Sequence, residues 1–311
     1  ISCSLVGSEM CIRDSRYPDP RQKALKARLS QIKDVPVESI FVGNGSDEPI
    51  DLVYRVFCEP KVHNAVAIAP TYSMYKVAAE INDVEVREVQ LEEDFSLDAD
   101  KLLAATDANT RLLWLCSPNN PTANSFPTAT IERIIREFAG IVVLDEAYID
   151  FAAEPGFLSR LGEFPNLIVL QTLSKAWGMA GLRLGLAFAD PLIVATLSNV
   201  KYPYNVNGPT QQTVLERLAG SPAAQVAEIL SERRRVAATL QPMKVVRKLY
   251  PSDANFVLVK VDEPRKVYDR LIAAGIIVRD RSRMQGCEGC LRITIGTPEE
   301  NTRLLEVMAQ L

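Results

Sequence analysis

The stretch GIVVLDEAYIDF, residues 140–151, is an apolar run that stops on two carboxylates, Asp145 and Glu146. A run with no polar face is the reading of a strand covered on both sides, as in a parallel sheet packed between helices. Runs of the same kind occur on either side: SIFVG (39–43), NAVAIA (64–69), VEVREVQ (84–90), RLLWLC (111–116), NLIVLQT (166–172) and LGLAFA (184–189). They alternate with helical patterns. The expected fold is therefore α/β, a large domain with a mostly parallel seven-stranded sheet sandwiched by helices.

Helix starts punctuate the pattern. Asp190 followed by Pro191, and Ser221 followed by Pro222, each place a capping residue before a proline suited to the first helical position. The segment 221–241 is long enough for a connecting helix. Beyond it, NFVLVKV (255–261), a helix over 264–275, IIVRD (276–280), LRITIG (291–296) and a last helix from Pro298 predict a smaller α+β C-terminal domain. The division expected is 16–220 for the large domain and 221–311 for the connecting helix and small domain. The opening ISCSLVGSEMCIRDS (1–15) fits neither, being too short and too interrupted for a signal peptide, and reads as sequence foreign to the rest.

Net charge is −4, so no overall basic field points to nucleic acid or an anionic membrane. No apolar stretch approaches the roughly 18 residues a membrane span needs. Six cysteines scattered through 311 residues fit a reduced, cytoplasmic setting. Cys287 and Cys290 form a lone C-x-x-C, too few ligands for structural zinc, and the only histidine, His63, is remote in sequence. No metal is expected.

Chemistry gathers where strands end, the edge at which α/β sheets bind ligands. FVGNGSDEPIDLV (41–53) passes through Gly43 and Gly45 into a helix start at Ser46 and Asp47, an anion site or simply a capped turn. SPNNPT (117–122) sets Asn119 and Asn120 between prolines, where a plain turn is a sufficient account. A carboxylate closing an apolar strand is costly to desolvate, so Asp145 requires a positive or donating partner. Thirty residues on, TLSKAWGMAGLRLG (172–185) places Lys175 beside Ser174 and ahead of Arg183. Either Asp145 and Lys175 form an ion pair, or Asp145 faces a protonated cofactor ring and Lys175 is its attachment point.

RYPDP, GNGSDE, APTYSMY, SPNNPT, LDEAYIDF, TLSKAWGMAGLRLG and LRITIGT, in this order, resemble the fold-type I pyridoxal-phosphate-dependent aminotransferases of class II, and most closely the histidinol-phosphate aminotransferase family. The likeness runs from about Arg16 to the C-terminus. It implies pyridoxal 5'-phosphate held by Lys175 as a Schiff base, with Lys175 also moving the proton at the substrate Cα. Asp145 is implied at the ring nitrogen, Tyr72 on the ring face, and Asn120 and Tyr148 at the ring hydroxyl. Ser174, Arg183 and the loop Gly45, Ser46 and Asp47 are implied at the phosphate. Tyr17 is implied to reach that phosphate from the other subunit of a homodimer. Arg279 and Arg292 are implied at the anionic end of L-histidinol phosphate and of glutamate or 2-oxoglutarate in turn, the ping-pong transamination of histidine biosynthesis. Arg281 and Arg283, by contrast, read as solvated surface.

Two departures stand out. Ala123 occupies a position where the family usually has glycine, which strains the backbone if φ is positive there. The family's segment before RYP, which helps close over the substrate, is missing or replaced. An aromatic amino-acid aminotransferase, a threonine-phosphate decarboxylase or a pyridoxal-phosphate-binding protein without turnover are the alternatives on the same scaffold.

Overall fold

The computed structural model describes residues 16–311. The reading of 1–15 as foreign sequence lies outside the described residues. The strands described form two sheets, seven-stranded and four-stranded. In the first, β1 (Ile40–Asn44), β2 (Asn64–Ala69), β3 (Glu85–Gln90), β4 (Thr110–Cys116), β5 (Ile141–Asp145), β6 (Leu167–Thr172) and β7 (Leu184–Ala189) lie in the order β1-β7-β6-β5-β4-β2-β3. Pairing is parallel from β6 through β5, β4 and β2 to β3, and β7 alone runs against its neighbours β1 and β6.

The apolar runs fold this way because successive side chains alternate between sheet faces and both faces are covered. One face packs Val66, Leu113, Val142, Leu144, Val169 and Phe188 beneath the helices Lys23–Lys33 and Thr128–Glu137, which contribute Leu25, Leu29, Ile131 and Ile134. The other packs Ala65, Trp114, Val143, Ile168 and Ala187 against Ile50 and Val53 of Asp47–Phe57, Tyr75 and Ala79 of Met74–Ile81, and Leu197 of Pro191–Val200. β3, at the sheet edge, is the exception, half-buried with charged residues between its valines.

In the second sheet, β8 (Val246–Leu249), β9 (Phe256–Val261), β10 (Arg279–Asp280) and β11 (Cys290–Thr294) pair antiparallel in the order β10-β11-β9-β8. Its core is Val257, Val259, Leu291 and Ile293, closed by the helices Ala223–Leu240, Pro264–Ala273 and Pro298–Ala309. Three details differ from the expected elements, the third at Ser221 and Pro222. The run 276–280 yields a strand only at Arg279–Asp280, with Ile277 81% exposed, because the apolar residues before Arg279 belong to the exit from a helix. β8, whose half-exposed VRKL carries no apolar signal, was not expected. Asp190 caps its helix as expected, its side chain accepting from the Leu192 N–H. At the other helix start, Pro222 stands in the capping position and the Ser221 hydroxyl accepts from the Ala223 N–H at 3.2 Å.

Candidate active site

A cavity of about 490 Å³ opens where β1, β2, β4, β5 and β6 end, and the strand pair β10–β11 of the small sheet closes its far side. It is lined by every residue to which the resemblance assigns a role except Gly45 and Tyr17. Residues from eight separate segments meet here, five of them because parallel strands deliver their carboxyl ends to one edge.

Asp145, the last residue of β5, is buried, 4% exposed. Its carboxylate accepts a 2.7 Å hydrogen bond from the Tyr75 hydroxyl and a 2.9 Å bond from the Ala147 N–H. Burial raises its pKa, and Tyr75, Ala147 and the Lys175 charge oppose the rise. The simple Asp145–Lys175 ion pair does not form. Lys175 follows β6 and lies half-buried, its ammonium 5.2 Å from the centroid of the Tyr148 ring. Its pKa is lowered, first by burial and then by Arg292 and Arg183, against the pull of Asp145 and Asp47. A lysine made less basic in this way is a better nucleophile near neutral pH.

At one end of the cavity, Ser46 precedes the helix Asp47–Phe57 and makes no side-chain capping bond. The Asp47 carboxylate lies 3.5 Å from the Arg183 guanidinium and accepts from the Tyr72 hydroxyl at 3.1 Å. Arg183 adopts a left-handed backbone, φ 51°, which turns the chain into β7. Gly45, at φ 75°, donates its N–H to the Arg183 carbonyl at 2.8 Å, and a Cβ there would stand 2.6 Å from the Arg183 Nη2. The left-handed backbone favours glycine here, and a Cβ would also push the Arg183 guanidinium aside. Gly185, which the sequence reading passed over, is needed as well, since a Cβ on it would meet the Gly45 backbone at 2.3 Å. A helix start joined by Ser174 and a guanidinium can hold a phosphate.

At the other end, the Arg292 Nη1 donates to the Asn120 Oδ1 at 2.6 Å, and its guanidinium lies over the Phe256 ring at 4.9 Å. Tyr148 meets that same ring edge-on at 5.1 Å, and burial pushes its hydroxyl up to about 12. Arg279 stands opposite Arg292 across the β10–β11 pair. Arg281, expected on solvated surface, lines the cavity instead, because strand alternation turns it the same way as Arg279; Arg283 is exposed, as expected.

Tyr17 lies away from the cavity of its own chain, 80% exposed and stacked on Tyr204 with centroids 4.4 Å apart. Tyr75 was missed in the sequence, although its spacing of three from Tyr72 at a helix start was the available signal. Asn119, for which a plain turn is a sufficient account in the sequence, is fully buried. It donates to the Pro70 carbonyl and the Thr122 hydroxyl and accepts from Thr71, so it builds the loop that presents Asn120. Cys287 and Cys290 are buried free thiols packed with Phe95, Tyr250 and Leu258.

The cavity thus joins a lysine of lowered basicity, a buried carboxylate on the neighbouring strand and a guanidinium at each end, groups able to exchange protons and bind anions. Residues 10–308 match the family described as aminotransferase class I and II, and the chain belongs to that family. The histidinol-phosphate aminotransferase of Parabacteroides distasonis is 54% identical over 299 residues, 96% of this chain and 87% of that one. Among solved structures, the histidinol-phosphate aminotransferase from Clostridium acetobutylicum matches with a TM-score of 0.88 at 22% identity, over 96% of this chain and 91% of that one. The one from Sinorhizobium meliloti, in complex with pyridoxal-5'-phosphate, matches with a TM-score of 0.84 at 24% identity, over 97% and 84%. These two establish the likeness of fold.

Proposed function

We propose that the protein transfers the amino group of L-histidinol phosphate to 2-oxoglutarate, yielding imidazole-acetol phosphate and L-glutamate, with pyridoxal 5'-phosphate as cofactor. The observation that carries this reading is the convergence of Lys175, buried Asp145 and the arginines of β10–β11 on one cavity. The 54% identity to a histidinol-phosphate aminotransferase supports the choice of substrate.

The residues present fit the cofactor. Ser46, Asp47, Ser174 and Arg183, with the tight approach at Gly45, would hold its phosphate. Asp145, desolvated and already accepting two hydrogen bonds, would keep a ring nitrogen protonated. Tyr72 would cover the ring face, and Asn120 and Tyr148 would bind its hydroxyl oxygen. When bound, pyridoxal phosphate supplies an electron-withdrawing ring that stabilises negative charge on the substrate Cα.

Lys175 would hold the cofactor and would accept the proton from the substrate Cα, a task its depressed basicity suits. Arg279 and Arg292 bind the phosphate of one substrate and the carboxylate of the other, so a single anion site serves both halves of a ping-pong reaction. The exposed, stacked Tyr17 fits a homodimer in which it completes the partner's phosphate site. Among the described residues no helix is long and apolar enough to cross a membrane, and the chemistry belongs to cytoplasmic amino-acid synthesis.

Half-reactions test the assignment. L-Histidinol phosphate should discharge the cofactor's visible absorption, and 2-oxoglutarate should restore it. A faster response to L-phenylalanine would make the protein an aromatic aminotransferase, and carbon dioxide from L-threonine phosphate would make it a decarboxylase. No response to any amine would leave a binding protein. Borohydride reduction followed by peptide mapping should mark Lys175; a mark elsewhere would overturn its role.

A further inference from the structure

We infer that Arg281 is a specificity-determining residue, a third guanidinium that selects a phosphate-bearing substrate over a carboxylate-bearing one. The inference rests on the proposed reading of this cavity and extends it to a residue with no role there.

The register of β10 and β11 sets Arg279 directly opposite Arg292, and the Arg281 N–H donates to the Cys290 carbonyl at 3.0 Å, continuing the ladder by one residue. Alternation then puts Arg279, Arg281 and Arg292 on one face of the same strand pair, and all three line the cavity. Like charges set across a ladder repel. Among the described residues none of the three has a carboxylate within ion-pair distance. The cavity's carboxylates, Asp47 and Asp145, are engaged elsewhere, with Arg183, Tyr72, Tyr75 and the Ala147 N–H.

The hydrogen bonding of these arginines is also incomplete. The Nε atoms of both Arg281 and Arg292 are buried without an acceptor. The one side-chain bond of Arg281 is a long 3.4 Å contact from Nη1 to the Asp280 carbonyl, whereas Arg292 has its short bond to Asn120. A carboxylate offers two oxygens and one negative charge, which the pair Arg279 and Arg292 can satisfy. A phosphate monoester offers three terminal oxygens and close to two charges, matching a third planar donor. Arg281 is the guanidinium left over for it.

The test titrates inorganic phosphate and glutarate separately into the cofactor-loaded protein by calorimetry, so that the cofactor phosphate site is already filled. Arg281→Gln should weaken phosphate roughly 10- to 100-fold, the loss of one or two charge-assisted hydrogen bonds, and weaken glutarate far less. Arg281→Lys should fall between the two proteins, and a cofactor-loaded melting temperature equal to that of the wild type shows that the variants are folded and hold the cofactor. Equal weakening of both anions, unchanged phosphate affinity, or a wild type that binds no phosphate would each overturn the inference. Inertness of the wild type toward L-histidinol phosphate, with Arg281-dependent phosphate binding intact, would retire the proposed substrate and leave the role of Arg281 standing.

Discussion

The Tyr75 hydroxyl donates a 2.7 Å hydrogen bond to the Asp145 carboxylate, joining the first turn of the helix Met74–Ile81 to the end of β5. Tyr75 is itself buried and stacked on Trp114 at 4.7 Å, which fixes its ring and hence the donor. Tyr75→Phe keeps that packing and removes only the hydroxyl. A hydrogen bond to a charged group contributes about 1.5–3 kcal/mol, so cofactor affinity should fall by roughly 10-fold or more. Absorbance titration with pyridoxal phosphate measures it; an unchanged dissociation constant would show that Tyr75 is only packing.

Arg292 binds the substrate anion in the proposed reading and also holds Asn120. Arg292→Ala should therefore raise KM for L-histidinol phosphate and for L-glutamate together, each by roughly 10- to 100-fold. A rise confined to one substrate would contradict a shared site.

Glu146, beside Asp145, is fully enclosed, and burial pushes its pKa up from 4.5 to about 7. Between those values the folded protein holds a proton that the unfolded chain has released, so stability falls as pH rises through that window. The shift corresponds to about 3 kcal/mol. Its carboxyl accepts from the Phe157 N–H at 2.6 Å and the Gln171 Nε2 at 3.0 Å, while the Gln171 Oε1 is buried without a partner. In Glu146→Gln a rotated Gln171 amide can accept from the new one. That variant should be more stable than wild type at pH 8 and similar at pH 5, by urea unfolding. A parallel pH dependence in the two proteins would refute this.

Ala123 does adopt positive φ, 72°, and is fully buried. A left-handed alanine costs about 1–2 kcal/mol. Against that, glycine gives up a buried methyl, about 0.8 kcal/mol, and gains unfolded-chain freedom worth about 0.4–1 kcal/mol. Ala123→Gly should consequently change stability by less than about 1 kcal/mol. Ala123→Val, strained and crowded against Tyr148 and Phe256, should destabilise by several-fold more in a thermal melt.

The apolar runs of the large sheet by themselves specified its strands, because continuous burial on both faces leaves a signal that needs no partner to be read. The strand-end motifs likewise picked out Lys175 and Asp145 as residues that line the cavity, since a charge closing an apolar run stands out in one dimension. What lay beyond the sequence was relational. That β7 reverses direction, that Tyr75 reaches back to Asp145, and that Arg281 shares a face with Arg292 depend on register and crossover between segments far apart in the chain. The weak strand at Val246–Leu249 exists only because β9 offers it an edge. Local pattern chose the elements; the long-range pairing of those elements decided which charges meet, since electrostatics acts through space and not along the backbone.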